Sequence, residues 1–290
     1  MKKNILLVIK GFIMGIANII PGVSGGTLAL ILGIYEDFIG AISHFFSNLK
    51  ENIKFLIPIA IGMVLAIASL SNVIDYSYDH FPIPTSLFFV GLVLGGIPML
   101  SSKVKGKKEV KQISSYIIFI LTFSLVIMMA CSDLIFGDGL TVNLSNMGIL
   151  SYILLFLVGI VAAATMVIPG VSGSLVLMLL GYYRPVIKVI KEFTKFKNVG
   201  SNVVILATFG IGILIGIVLV SKLIEFLFKK YETKTYFGVL GFILASVLAI
   251  PISVLLSKEI TVSFDIIQII LGLLFLCIGS IISYKLGDEK

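Results

Sequence analysis

A six-residue motif occurs twice in this chain, and each copy interrupts an otherwise apolar stretch. Residues 21–26 read Pro-Gly-Val-Ser-Gly-Gly, and residues 169–174, 148 positions later, read Pro-Gly-Val-Ser-Gly-Ser. The similarity continues beyond the motif, since Leu-Ile-Leu-Gly-Ile-Tyr at 30–35 recurs as Met-Leu-Leu-Gly-Tyr-Tyr at 178–183. An internal repeat of this length indicates a fold built from two related halves. We therefore predict two equivalent units, each with a glycine-rich break at the same place.

The composition places both units in a membrane. Hydrophobic residues make up 58% of the 290 residues and charged residues only 13%, which excludes an ordinary soluble domain. The net charge of +7 is explained by lysine-rich loops at one membrane face, so it gives no support to a nucleic-acid partner. Apolar runs that predict spanning helices occupy 53–74, 85–102 and 113–131 in the first half and 203–228, 235–256 and 265–284 in the second. The sequence therefore predicts an all-α polytopic membrane protein.

The apolar run that directly follows each motif is too short to cross a bilayer. It covers nine residues at 27–35 and ten at 174–183, whereas a spanning helix needs about 20. Each motif with its flanking runs therefore predicts a re-entrant helical hairpin, over 4–40 and over 147–190. A repeat then consists of one hairpin and three transmembrane helices. The predicted repeats are 1–131 and 147–290, within one membrane domain.

The distribution of lysines predicts how the repeats are oriented. The loop at 103–111 carries five lysines, and such loops stay on the cytoplasmic side. Three crossings per repeat is an odd number, so we predict that the second repeat is inverted relative to the first. This scheme puts the four lysines of 188–197 outside, against the rule. The alternative, with parallel halves, repairs that loop but places the N-terminus outside.

Each motif has the chemistry of an anion site. Proline ends the incoming helix, glycines permit a tight reversal, and serine can cap the outgoing helix, whose first N–H groups lack intrahelical acceptors. Such a helix start carries about half a positive charge and favours an anion. A turn that only connects two helices is the structural alternative. We predict a phosphate site where the two turns converge, formed by Gly22, Val23, Ser24, Gly25, Gly26, Thr27, Gly170, Val171, Ser172, Gly173 and Ser174.

Four further polar residues are candidates for the same site or for its control. Arg184, the only arginine, would raise the charge of the two helix starts from about +1 to about +2, which suits a phosphomonoester of about −1.5 to −2. The alternative is that the Arg184 side chain extends to the membrane interface and does not bind the substrate. Asn18 lies deep in an apolar run and is a candidate for coupling or gating. Glu36 and Asp37 are candidates for the same role, or else form the interfacial end of a half-helix.

These motifs resemble those of a known family. Gly-Ile-Ala-Asn-Ile-Ile-Pro-Gly-Val-Ser-Gly-Gly-Thr at 15–27, with Gly-Ile-Tyr-Glu at 33–36, resembles a signature of the bacterial polyprenyl-phosphate transporters. Ile-Pro-Gly-Val-Ser-Gly-Ser at 168–174, with Gly-Tyr-Tyr at 181–183, is similar to the other signature, and the resemblance covers nearly the whole chain. It implies a non-enzymatic flippase of the bacterial plasma membrane that returns undecaprenyl phosphate from the outer to the cytoplasmic leaflet. The lipid carrier would then be reused in peptidoglycan synthesis for the cell wall.

Two other classes of protein stay open on the residues alone. An intramembrane polyprenyl-diphosphate phosphatase also has repeated halves and a Pro-Gly-x-Ser turn, but its chemistry needs acidic residues and an arginine beside the turn serine. Here glycine follows both Ser24 and Ser172. A small-anion or ion-coupled transporter can also bind its substrate at the ends of half-length helices. We expect no cofactor and no metal, and the sequence leaves the oligomeric state open.

Overall fold

The computed structural model of this chain describes residues 2–19, 24–105, 110, 112–131, 142–144, 147–256 and 265–288. The regular elements in these ranges are helices, without a strand, which confirms the predicted all-α class. Pro21, Gly22 and Val23, the first half of the first motif, lie outside the described residues. The second motif is described completely along its backbone.

Eleven helices occupy the described ranges. The first half contains α1 (Lys2–Ile19), α2 (Gly25–Ile31), α3 (Tyr35–Ser43), α4 (Leu49–His80), α5 (Pro82–Val104) and α6 (Ile113–Ala130). The second half contains α7 (Ile149–Val167), α8 (Gly173–Leu179), α9 (Tyr183–Thr194), α10 (Val199–Leu256) and α11 (Ile266–Asp288). Within the described ranges, six helices are long and apolar enough to cross a membrane, namely α4, α5, α6, α7, α10 and α11. The chain is thus a multi-pass membrane protein.

The sequence repeat is also visible in the backbone. Helices α4 and α5 meet at Phe81, whose φ and ψ are −134° and 55°. Helix α10 breaks at Tyr231, with φ −132° and ψ 44°, into two arms that match the predicted helices 203–228 and 235–256. Four residues later, Thr85 and Thr235 each donate a side-chain hydrogen bond across the break, to the carbonyls of Ser77 and Leu227. The two halves therefore repeat the same junction in atomic detail.

Close helix contacts through glycine join the two halves into one body. A Cβ at Gly91 of α5 would lie 2.2 Å from the carbonyl oxygen of Leu276 in α11, and a Cβ at Gly241 of α10 would lie 2.5 Å from that of Phe119 in α6. Small residues let transmembrane helices approach this closely. The last long helix of each half thus packs against a helix of the other half, and the two halves share one core.

The inverted arrangement of the repeats is a prediction that cysteine labelling can test. Ser47 follows α3 and is exposed, and a Cβ at Gly200 would meet no atom within 4 Å. In a background without Cys131 and Cys277, single cysteines at positions 47 and 200 should react with an impermeant maleimide from opposite sides of the membrane. Reaction of both cysteines from the same side would contradict the inversion and favour parallel halves.

Candidate functional site

The predicted half-length helices are present, and each is ended by a glycine in the same conformation. Helices α2 and α8 contain seven residues each, which corresponds to about 10 Å, a third of the hydrocarbon thickness. Gly33 and Gly181 follow with φ of 67° and 76°. The amides of Ile34 and Tyr182 reach back to the carbonyls of Ala29 and Leu177, a Schellman turn that only glycine adopts without strain.

The turn of the second motif also depends on one glycine. Gly170 has φ of 83°, in the left-handed region, and an added Cβ would lie 2.7 Å from the backbone of Phe242 in α10. Gly173, at the start of α8, does not have a positive φ. The reversal of the chain is therefore made at Gly170, and Gly173 serves a different purpose, close approach to a neighbour.

The two motifs meet, as the phosphate-site prediction requires. The amide of Gly170 donates a hydrogen bond of 2.7 Å to the hydroxyl of Thr27, between residues 143 positions apart. The hydroxyl of Ser24 donates to the carbonyl of Ile168 at 3.4 Å. The hydroxyl of Tyr35, just after the first short helix, donates to the carbonyl of Val167 at 2.9 Å. Sequence reasoning missed the role of Tyr35, although its repetition at position 183 pointed to it.

Two details of the predicted anion site are wrong. Ser24 and Ser172 stand at the N-cap positions of α2 and α8, but neither side chain makes the capping hydrogen bond. The amide of Thr27, expected to be free for an anion, donates to the carbonyl of Ser24 at 3.0 Å. In the first motif, the chain closes a tight turn that uses the amide of Thr27, and the hydroxyl of Ser24 donates to the carbonyl of Ile168 instead of capping α2.

Polar groups surround the starts of both short helices. Ser24, Thr27 and Ser172 are buried, with exposed fractions of 5%, 1% and 6%. A Cβ at Gly25 would lie 2.7 Å from the amide oxygen of Asn18, and one at Gly173 would lie 2.8 Å from the hydroxyl of Thr165. Each first glycine thus faces a polar side chain of the incoming helix, and Asn18 does adjoin the motif.

Of the other predicted residues of the two motifs, Gly22 and Val23 lie outside the described residues, and Gly26, Val171 and Ser174 are described. A Cβ at Gly26 would lie 3.1 Å from the carbonyl oxygen of Val167. Val171 is buried, and Ser174 lies in the first turn of α8, with a side chain outside the described set.

Arg184 does not lie against the two turns. It occupies the first turn of α9 with an exposed side chain. Within the described ranges, no hydrogen bond or ion pair joins it to either motif. The contribution of Arg184 to the charge of the converging helix starts therefore stays a prediction.

Glu36 and Asp37 lie in a cleft of about 590 Å³ whose lining includes no described residue of either motif. Lys10 and His44 share this lining. The carboxylate of Glu36 accepts a hydrogen bond of 2.7 Å from the hydroxyl of Tyr236 and lies 3.8 Å from the ammonium of Lys103. Glu36 thus connects the end of the first short helix to α10 of the other half.

A second connection between the halves was not predicted. Glu225 of α10 accepts hydrogen bonds from the hydroxyl of Ser43 and from Lys229, and lies 3.1 Å from the imidazole of His44. The signal was present in the sequence, because Ile224-Glu225 matches Ile74-Asp75 of the first half. An acidic residue that is repeated within spanning helices is a candidate for function.

Comparison with known proteins shows which family this chain is similar to. Residues 14–263 match a family model described as VCA0040-like, undecaprenyl phosphate translocase-like. The chain is 36% identical over 284 residues to a polyprenyl-phosphate transporter of Staphylococcus aureus, covering 97% of this chain and 95% of that one. It is 29% identical over 252 residues to a polyprenyl-phosphate transporter of Vibrio cholerae, covering 82% and 74%.

No solved structure gives a significant match to this chain. The family model nevertheless extends over both motifs and over all but the outermost of the described helices. The resemblance seen in the two motifs is thereby confirmed along most of the sequence. The chain belongs to the VCA0040-like, undecaprenyl phosphate translocase-like family.

Proposed function

We propose that this protein carries a polyprenyl phosphate across the membrane and holds the phosphate headgroup between the two Pro-Gly-Val-Ser-Gly turns. One observation carries the proposal: the two turns, 148 positions apart in sequence, touch through the hydrogen bond from Gly170 to Thr27. Both relatives bear the name polyprenyl-phosphate transporter, which supports this lipid class. By the family resemblance, transport runs from the outer to the cytoplasmic leaflet and serves peptidoglycan synthesis.

The chemistry of the turns suits a phosphate. The first amides of α2 and α8, at Gly25 and Gly173, precede the intrahelical bonding ladder and have no side chain to shield them. The hydroxyls of Ser24 and Thr165 donate to the carbonyls of Ile168 and Ala162, so each becomes a donor to a phosphate only by releasing that carbonyl. Buried polar groups are costly inside a membrane and therefore mark functional sites. A phosphomonoester of about −1.5 to −2 is attracted by the positive ends of both helices.

The burial of these groups indicates how loading must occur. Thr27 is 1% exposed and its hydroxyl is engaged by Gly170, so a phosphate reaches the turns only after they separate. The hydrogen bond between Gly170 and Thr27 therefore defines the closed state of the site. Transport in this proposal alternates between turns bonded to each other and turns bonded to the headgroup, a two-state exchange of hydrogen-bond partners.

A reconstituted transport assay tests the proposed function. Purified protein in liposomes should speed the movement of a fluorescent polyprenyl phosphate between leaflets, followed by quenching from outside. The matched neutral polyprenol should not be moved faster than in protein-free liposomes, because it lacks the anion that the turns bind. Equal rates with and without protein for the phosphate would contradict the proposal.

The same preparation separates transport from the enzymatic alternative. A polyprenyl diphosphate phosphatase releases inorganic phosphate, whereas a carrier leaves its substrate unchanged. We expect no protein-dependent phosphate release from polyprenyl diphosphate, with added divalent metal or without it. Small anions such as phosphate and chloride should compete poorly, since they lack the lipid tail; strong competition would favour the small-anion transporter.

A further inference from the structure

Helix α9 presents a row of cations on one side. Arg184, Lys188, Lys191 and Lys195 are all exposed, and their spacings of four, three and four residues place them along one face of a helix. The opposite face holds Val186 and Val189, which are buried in the hydrophobic cluster with Ile205 and Phe209 of α10. Packing therefore holds the helix with its cations outward, and we call these four residues the cationic ridge.

Little of this charge is neutralised by the protein. Glu192 is the only acid in α9, and its carboxylate lies 3.9 Å from Lys188 and 3.5 Å from the amide nitrogen of Asn198. Arg184, Lys191 and Lys195 form no ion pair with any acid in the part of the chain that the structure describes. An exposed, unpaired row of cations attracts anionic groups, including the phosphate headgroups of lipids.

The corresponding helix of the first half uses the same face differently. By the 148-residue repeat, the ridge positions correspond to Glu36, Gly40, Ser43 and Ser47 of α3 and its following turn. In α3, Glu36 contacts Tyr236 and Ser43 contacts Glu225, both in α10 of the other half. In α3 this face contacts other parts of the protein, whereas the corresponding face of α9 is exposed and cationic.

The C-terminal end of α9 has the features of a segment that lies at a membrane surface. Phe196 is 86% exposed and lies between Lys195 and Lys197, a combination of ring and cations typical of the lipid interface. Its φ of 55° is unusual for a bulky residue. The amide of Lys197 donates a hydrogen bond of 2.9 Å to the carbonyl of Glu192. This bond closes a turn that leaves Phe196 facing outward.

The ridge is also connected to the second motif. Helix α8 begins at the motif with Gly173 and ends before Gly181, and Arg184 follows two residues after Tyr182. Arg184 is thus the ridge cation nearest to the turns along the chain, 11 positions after Gly173 at the start of α8. Guanidinium binds phosphate in a bidentate manner, while lysines act as mobile point charges.

We propose that the cationic ridge is the surface on which the phosphate of a membrane-embedded polyprenyl phosphate docks before it moves to the two turns. This inference rests on the proposed transport function. The lipid tail stays in the bilayer beside α9, the lysines collect the headgroup at the interface, and Arg184 receives it at the end closest to the motif. The ligand is a phosphorylated lipid, not free phosphate.

Binding measurements in nanodiscs of neutral lipid test this docking surface. Lys191→Gln/Lys195→Gln removes two unpaired ridge cations four residues apart. The matched control Lys50→Gln/Lys54→Gln removes two exposed lysines of the same spacing from α4. At about 1 kcal/mol per interfacial cation, the ridge variant should bind polyprenyl phosphate about 10- to 30-fold more weakly than wild type, and the control within about twofold. Raising the salt concentration should narrow this difference.

The outcomes separate the docking surface from the proposed function. If wild-type protein binds polyprenyl phosphate no better than polyprenol, the transport proposal itself fails. If wild type binds it well and the ridge and control variants behave alike, transport stands and the ridge proposal is overturned. It is also overturned if the ridge variant loses only its attraction to phosphatidylglycerol vesicles, or if millimolar inorganic phosphate displaces the lipid from wild type.

Arg184→Lys should lower the transport rate more than it lowers the affinity for polyprenyl phosphate, because the charge is kept and the bidentate contact with phosphate is lost.

Discussion

Replacing Gly173 by valine should lower polyprenyl phosphate transport about tenfold or more while the protein still folds and inserts. A Cβ at this position would lie 2.8 Å from the hydroxyl of Thr165, which is buried and already donates to the carbonyl of Ala162 at 2.6 Å. Thr165 cannot move away without losing that bond, so the start of α8 must shift. Overpacking of this kind costs about 1–3 kcal/mol, enough to lower transport about tenfold or more.

The same change in the other motif should have a smaller effect. Gly25→Val brings a Cβ to 2.7 Å from the amide oxygen of Asn18, but Asn18 is exposed and its side chain can swing aside. The control is Gly210→Val, because a Cβ at Gly210 meets nothing within 4 Å. We expect transport in liposomes to be impaired most in Gly173→Val, less in Gly25→Val and least in Gly210→Val. Elution profiles of the purified variants report whether each one folds. Normal transport by Gly173→Val would show that the turns only shape the fold.

Thr27→Val should weaken the contact between the two halves. Valine keeps the shape of threonine but offers no acceptor to the amide of Gly170, which lies in a buried environment at 2.7 Å from the hydroxyl oxygen. A buried donor left unsatisfied costs about 1–3 kcal/mol. The variant should therefore have a lower free energy of unfolding, and transport should change because the closed state of the turns is destabilised.

Thr27→Ser is the matched variant, since it restores the hydroxyl and removes only a methyl group. We expect its stability and transport to lie near wild type, which thermal unfolding in detergent and the liposome assay can both measure. Equal behaviour of the valine and serine variants would contradict a functional link from Thr27 to Gly170. A loss in the serine variant alone would point to the packing of the methyl group instead.

Local features of the fold were readable because they depend on a few neighbouring residues. A run of apolar residues sets the length of a helix, and Gly33 and Gly181 end the short helices because glycine alone accepts their φ of 67° and 76° without strain. The same reasoning predicted that glycines permit the tight reversal, without saying which glycine makes it. The structure places the reversal of the second motif at Gly170, because the pattern Pro-Gly-Val-Ser-Gly does not say which glycine has the positive φ.

By itself, the sequence determined the membrane class, the two repeats, the short helices and the family, since composition, repetition and local backbone limits are properties of the chain. Only the tertiary structure decided which polar groups meet. It shows that Thr27 accepts from Gly170, that Glu36 and Glu225 contact the opposite half, and that Arg184 is exposed in the first turn of α9. The physical reason is that a hydrogen bond depends on distances of about 3 Å. Only the packing of whole helices sets such distances between residues more than a hundred positions apart.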